Sequence, residues 1–304
     1  MTEDTRELVL PAPRWFDKLA HLDRIVPDEE KLRSADSVHL DLSQVNYWNP
    51  ATIVGTLIVA ERLRQYLASH SLTSIKLSYP GGPRAAAYAS LLGFSEMVLE
   101  VLSAKPPAAG HIDLDAKKII PLTRFVTSGQ VEQIANSMAN VFQTDLVGLS
   151  FLLQPCHIVF SELADNILHH SNATAGWVAA ARVRHRLDDG TIKPMVEIAV
   201  GDSGIGIPAA IKKNPALSPS DDAQAVVLAL QEGVSGLDDP HRGYGLWHLR
   251  QEVVRVAAQR VLVIRSGAAQ VRVRADGAVR WSLRKRFPGT LAYVMIPYPA
   301  ASKG

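Results

Sequence analysis

Glu162 and Asn166 stand four residues apart in the stretch Cys156-His157-Ile158-Val159-Phe160-Ser161-Glu162-Leu163-Ala164-Asp165-Asn166-Ile167-Leu168-His169-His170. At about 100° per residue on a helix, they share a side with Asp165 and His169. Val159, Phe160, Leu163, Ala164 and Ile167 form the opposite, apolar arc. A carboxylate in that position can polarise a water as a general base, and an amide oxygen suits a hard cation such as Mg²⁺. Alone, the pair is an ordinary feature of a solvated helix face. A second group is Gly201-Asp202-Ser203-Gly204-Ile205-Gly206-Ile207-Pro208. Here Asp202 leaves a strand and can accept a hydrogen bond from an exocyclic amine, while Gly204 and Gly206 allow a tight turn and close backbone approach to a ligand. A plain Asp-Gly turn, of the kind read at Asp188-Asp189-Gly190, would look the same. A third group, His241-Arg242-Gly243-Tyr244-Gly245-Leu246-Trp247, sets glycines ahead of a helix, where unpaired N–H groups can cradle an anion. Pro288-Gly289-Thr290 opens a last apolar strand that runs to Pro297.

Several elements must hold these groups in place. The helical arc over 156–170 has Pro155 near its start, a first-turn position. Residues 195–200 alternate apolar and polar as a strand does, and residues 246–256 read as a helix. Earlier in the chain, Val38-His39-Leu40-Asp41-Leu42 reads as a strand with Val38, Leu40 and Leu42 inward, and residues 51–67 as a helix after the breaker Asn49-Pro50. Ser74-Ile75-Lys76-Leu77-Ser78 reads as a second strand, closed by Tyr79-Pro80-Gly81-Gly82-Pro83, and residues 85–92 as a helix ended by Gly93. The order predicts an α/β fold. Residues 104–113 are rich in Pro, Ala and Gly and mark a linker.

The 304 residues carry a formal net charge of +2 and are 47% hydrophobic. That length suggests two domains, and the balance excludes a disordered chain. It offers no global reason to expect nucleic-acid or membrane-surface binding. The single cysteine, Cys156, can form no internal disulfide and reads as a small core hydrophobe, which fits a reducing compartment. The beginning, Met-Thr-Glu-Asp-Thr-Arg-Glu, is acidic where a secretory signal is basic then apolar, and apolar stretches such as 52–60 fall short of the ~20 residues of a spanning helix. A cytoplasmic, soluble protein is expected. The basic run Arg260, Arg265, Arg272, Arg274, Arg280, Arg284, Lys285 and Arg286 is read as a solvated sheet edge, with Arg272 and Arg274 on one face. Trp247 and Trp281 are read as packing residues.

Two resemblances extend this reading. His39-Leu40-Asp41-Leu42-Ser43-Gln44-Val45, Asn49-Pro50-Ala51-Thr52 and Leu91-Leu92-Gly93-Phe94 resemble a STAS domain, the module of anti-anti-sigma factors. Signalling members carry a phosphorylatable Ser at the start of the helix after the first strand. Thr52 is the sole acceptor in that neighbourhood here, and its first-turn position fits a helix cap. Glu162-Leu163-Ala164-Asp165-Asn166 resembles the N box of the GHKL ATPases (gyrase, heat-shock chaperone, histidine kinase, mismatch repair). Asp202-Ser203-Gly204-Ile205-Gly206 resembles their first glycine box, Arg242-Gly243-Tyr244-Gly245-Leu246 the second, and Gly289-Thr290 the terminal strand element.

The resemblance implies a STAS-like α/β domain over 1–103, a linker over 104–125 and a GHKL (Bergerat-type) α/β sandwich over 126–300. It implies ATP and Mg²⁺ as ligands, with Asn166 on the metal, Glu162 as base, Asp202 and Thr290 near the adenine, Gly204 and Gly206 shaping the pocket, and Gly243 and Gly245 closing over phosphate. Residues 221–236 would form a mobile ATP lid. A protein partner through the STAS-like domain is implied and a homodimer is left open; neither nucleic acid nor membrane is expected. A sensor histidine kinase would need a phosphoacceptor His on a dimerising helix, where a STAS-like module stands instead, and His169 falls where many such kinases have Lys. The retained Glu162 favours an ATP-hydrolysing switch over an anti-sigma-type serine/threonine kinase or a non-hydrolytic ATP sensor. No G-x-x-x-x-G-K-[ST] or G-x-G-x-x-G stretch supports a P-loop or Rossmann alternative.

Overall fold

The computed structural model describes residues 6–69, 72–102, 119–143, 153–186, 190–235, 244–255, 261–274 and 276–298. The chain mixes helices and sheets. Its N-terminal half contains β1 (Glu7–Pro11), β2 (Trp15–Phe16), a 3₁₀ turn (Leu19–Arg24), α1 (Glu29–Arg33), β3 (Ser37–Asp41), β4 (Tyr47–Trp48), α2 (Pro50–Ser69), β5 (Ser74–Ser78), α3 (Pro83–Leu91) and α4 (Phe94–Leu102). The C-terminal half contains β6 (Ile119–Phe125), α5 (Ser128–Gln143), α6 (Leu153–His170), β7 (Gly176–Arg186), β8 (Ile192–Asp202), α7 (Gly206–Ile211), α8 (Asp222–Ala229), α9 (Gly245–Arg255), β9 (Val261–Arg274) and β10 (Val279–Pro297). The first half is built on a parallel sheet ordered β1-β3-β5, and the second on a five-stranded antiparallel sheet ordered β6-β7-β8-β10-β9.

Helix α2 joins the two halves. Residues Pro50 to Glu61 and Leu63 are all buried, so the helix is apolar around its whole girth, as a helix enclosed on every side must be. It packs on β7, β8 and β10 of the large sheet as well as on β5 and α4. Two glycines permit that approach. A Cβ on Gly55 would stand 2.7 Å from Leu22 and 3.1 Å from Leu291, and one on Gly201 would stand 2.6 Å from Ile58. One core therefore runs from Val38, Leu40 and Ile58 to Trp177, Ala199, Leu291 and Tyr293. The opposite face of the same sheet, with Val178, Ile198, Val200, Ala292 and Val294, packs against α5, α6, α8 and α9. Both faces of the sheet are covered, giving three layers.

Val38, Leu40 and Leu42 are fully buried, as their alternation predicts. Asn49 and Thr52 close the start of α2 reciprocally: the Thr52 N–H donates to Asn49 Oδ1 (3.0 Å) and the Asn49 N–H to Thr52 Oγ1 (3.2 Å). Thr52 is fully buried and its hydroxyl donates to the Phe16 carbonyl at 2.6 Å, which is the capping role and leaves no exposed acceptor for phosphate.

Several expectations change. Residues 119–125, placed in the linker, form β6, because Ile119, Ile120, Leu122 and Phe125 are buried against the sheet beside β7. Residues 104–118 lie outside the described residues. Residues 195–200 are buried throughout, Glu197 included, since the sheet is covered on both faces and no position points to water. Arg265 is not at a solvated edge; it is fully buried on the face toward the N-terminal half and pairs with Asp23 and the Lys285 carbonyl. Arg272 and Arg274 are exposed on one face, as read. Trp281 is 56% exposed rather than packed, although its β9 partner Val271 is buried in the core. Cys156 is buried. No single described helix is long and apolar enough to cross a membrane.

Candidate functional site

The arc predicted for α6 is the buried one: Val159, Phe160, Leu163, Ala164 and Ile167 face the core, while Asp165 and His169 are exposed and Glu162 and Asn166 half-buried. Asn166 donates its amide N–H to the Glu162 carbonyl at 2.7 Å, which leaves its amide oxygen free to accept or to ligate. The start of α9 is pressed onto this pair. A Cβ on Gly245 would stand 2.7 Å from Glu162 Oε2 and 3.1 Å from Asn166 Nδ2, so a larger residue there would displace these two side chains. One helical turn on, His248 Nδ1 lies 3.3 Å from Glu162 Oε1.

Beside this contact, a cavity of about 230 Å³ opens between α6, α7, α9 and the ends of β8 and β10. Leu163, Ile167, Val200, Ile211, Leu246 and Ala292 give it apolar walls, and Asn166, Asp202, Gly206, Gly245 and Thr290 line it as well. Asp202 is its deepest charge. The residue is 1% exposed, and its carboxyl has no cation within reach among the described residues; Oδ1 accepts the Gly204 N–H at 2.7 Å. Burial pushes the carboxyl up to about 7, against the smaller opposing effect of that N–H. A buried carboxylate without a cation costs stability, and such groups concentrate where a ligand completes them.

Glycines set the Asp202 turn. A Cβ on Gly204 would stand 2.1 Å from the Ser171 carbonyl oxygen, and one on Gly289, at φ +106°, would stand 2.0 Å from the Asp202 carbonyl oxygen. Gly206, at φ +77°, starts α7. Thr290 stands directly across from Asp202 in the β8–β10 register. Its hydroxyl is 2.9 Å from Ser266 Oγ, which itself donates to the Gly289 carbonyl (3.0 Å) and accepts the Ile207 N–H (2.9 Å). Where Ser266 gives its one proton to the Gly289 carbonyl, Thr290 donates to Ser266 and shows the cavity acceptor lone pairs. Ionised Asp202 is likewise an acceptor. The floor of the cavity is thus built to receive a hydrogen-bond donor such as an exocyclic amine.

Of the predicted residues, the structure brings Asn166, Asp202, Gly206, Gly245 and Thr290 to one cavity. Gly204 stands behind Asp202, and Glu162 flanks Gly245 rather than lining the cavity. Gly243, with Arg242, lies outside the described residues. Ser266, Ser171 and His248 carry no sequence motif. Ser266 sits inside a strand, and His248 is one residue past the glycine-rich stretch that was singled out; its place one turn after Gly245 is the signal that could have found it. The expected lid also differs over residues 221–230. Asp221 caps α8 by accepting the Gln224 N–H at 2.7 Å, and Ala223, Val226 and Leu230 enter the core. Asp222 holds the Ala268 N–H (2.9 Å), Lys212 (3.3 Å) and Arg286 (3.0 Å). Burial raises that carboxyl, but these three partners outweigh it and keep it below the usual carboxylate value.

Among groups of His, Cys, Asp and Glu in the described residues, none is placed to hold a metal by itself. Asn166 and Glu162 therefore offer at most two protein oxygens, the number Mg²⁺ uses when phosphate supplies the rest.

No protein-family model matches the chain, and no curated protein matches it. Among solved structures, it is similar to the crystal structure of the SiaB–SiaC complex from Pseudomonas aeruginosa, at 18% identity over 60% of this chain and 92% of that one, with a TM-score of 0.30. A likeness at that score carries no functional argument.

Proposed function

We propose that the chain is an ATP-dependent signalling protein of the GHKL type, which binds Mg-ATP in the cavity beside Asp202, hydrolyses it, and thereby alters what its STAS-like N-terminal half binds. The observation that carries the reading is the buried Asp202 carboxyl facing an apolar cavity, with the Thr290 hydroxyl across from it. This floor suits the exocyclic amine of adenine and opposes the exocyclic carbonyl of guanine. The glycine at the start of α9 supports the same assignment, since the helix N-terminus there presents N–H groups toward the Asn166 side of the cavity. ATP would supply the phosphoanhydride whose γ-phosphoryl is transferred, with Mg²⁺ neutralising its charge. Asn166 would give its amide oxygen to the metal, Glu162 would orient and deprotonate the attacking water, and the apolar walls would exclude bulk water from the base. His248 would hold the Glu162 carboxylate when no water occupies that place.

Helix α2 links the cavity to the N-terminal half. Gln65 Nε2 is 3.4 Å from Ser203 Oγ, the residue after Asp202, and Gln65 also reaches Glu61, itself paired with Arg64. A change at the Asp202 turn is thus felt by the helix on which the first half is built. The buried Thr52 argues against phosphorylation of this chain's own STAS-like site, so hydrolysis rather than self-transfer is the favoured outcome. The test is calorimetric titration with Mg-ATP, read beside phosphate release. Wild type should bind and turn over, Asp202→Ala should lose binding, and Glu162→Gln should bind without turnover. Normal ATP binding by Asp202→Ala overturns the pocket assignment.

A further inference from the structure

A second cavity lies on the far side of the large sheet, where the two halves of the chain meet. It measures about 370 Å³, within the ~300–1,000 Å³ typical of small-molecule sites. The N-terminal half contributes Trp15, Tyr47, Trp48 and Tyr88, and β7 contributes Val183 and Arg184, with Arg84 from α3 completing the wall.

Two features make this more than a seam. The first is aromatic area. Trp15 (61% exposed) and Tyr47 (37% exposed) stand as a tilted pair with ring centres 6.0 Å apart, where large apolar rings are ordinarily withdrawn from water. The second is charge. The cavity is lined by two arginines and no acid, and among the described residues neither Arg84 nor Arg184 has an ion-pair partner. Guanidinium groups left open in this way match the fork of a carboxylate.

We infer that this inter-half cavity is a binding site for a small planar aromatic carboxylate, stacked on Trp15 and Tyr47 and held by Arg84 and Arg184. The inference does not rest on the nucleotide reading. Because the walls come from both halves, occupancy also ties the N-terminal half to β7 and raises the melting temperature with ligand concentration.

The probe is naphthalene-2-carboxylate, titrated into the full chain by calorimetry and tryptophan fluorescence, with neutral 2-naphthalenemethanol as its isostere. The expected result is one saturable site, roughly tenfold tighter for the carboxylate than for the alcohol. Arg84→Gln with Arg184→Gln should weaken the carboxylate about tenfold and leave the alcohol unchanged. Asp202→Asn should leave all of this intact. The inference is overturned by no saturable binding at millimolar probe, by equal affinity for acid and alcohol, by full affinity in the arginine double variant, or by loss of binding in Asp202→Asn.

Discussion

Asp202 is costly to keep, and the cost has a pH signature. Its carboxyl is raised from 3.8 to about 7 in the folded chain, whereas in the unfolded chain it ionises near its ordinary value. Between about pH 4 and pH 7 the native state therefore holds a proton that the unfolded state has lost. Stability falls as pH rises through that window, and above it the full penalty is present. Three units at 1.36 kcal/mol each set a ceiling of about 4 kcal/mol. Asp202→Asn removes the charge and keeps an oxygen for the Gly204 N–H. The ligand-free variant should match wild type below about pH 4, and its advantage should grow with pH to about 2–4 kcal/mol at pH 8. At ~2 °C per kcal/mol for a chain of this size, that is a rise of roughly 4–8 °C in melting temperature. Thermal unfolding followed by circular dichroism at pH 5, 6, 7 and 8 measures it. An offset independent of pH, or a variant less stable at pH 8, would refute the argument that an unpaired buried carboxylate is maintained here for a ligand. The same variant must lose ATP affinity, so stability and binding move in opposite directions.

Other outcomes follow from particular contacts. Because the cavity floor shows acceptors to the ligand, GTP should bind at least tenfold more weakly than ATP in parallel titrations. Gly289→Ala places a methyl against the Asp202 backbone at φ +106° and should cost about 3 kcal/mol or more in urea unfolding, with loss of ATP binding in whatever fraction folds. Asp23→Ala strands the buried Arg265 guanidinium and should cost roughly 2–4 kcal/mol, whereas Arg33→Ala, from an exposed pair with Glu29, should cost under about 0.5 kcal/mol. Thr52→Val leaves the Phe16 carbonyl and Asn49 N–H unmet and should cost about 2 kcal/mol, and mass spectrometry of protein incubated with Mg-ATP should find no phosphate on Thr52.

The local signals in the sequence were read correctly where one face of an element is buried. Val38, Leu40 and Leu42, and the arc from Val159 to Ile167, obey the period of a half-buried strand and a half-buried helix. Elements with both faces covered defeat that logic. α2 is apolar all round, and β8 reads as alternating through Glu197, yet the glutamate is enclosed between the sheet and the first half. Arg265 looks like part of a basic surface run because nothing local announces Asp23, 242 residues away in the chain. At the site, Asp202, Asn166 and Thr290 were legible as chemistry because short glycine-rich stretches surround two of them. Ser266 and His248 were not, since each works through a contact between elements distant in sequence. The second cavity was equally invisible: its walls are assembled by tertiary contact from β2, β4, α3 and β7.

The most direct test of the central claim is the fate of γ-labelled ATP incubated with Mg²⁺ and either wild type or Glu162→Gln, with free phosphate and protein-bound label read in the same reaction. The account predicts free phosphate from wild type, none above background from Glu162→Gln, equal ATP affinity in both, and no label on the protein. Undiminished phosphate release by Glu162→Gln, or label retained on the wild-type chain, would contradict it.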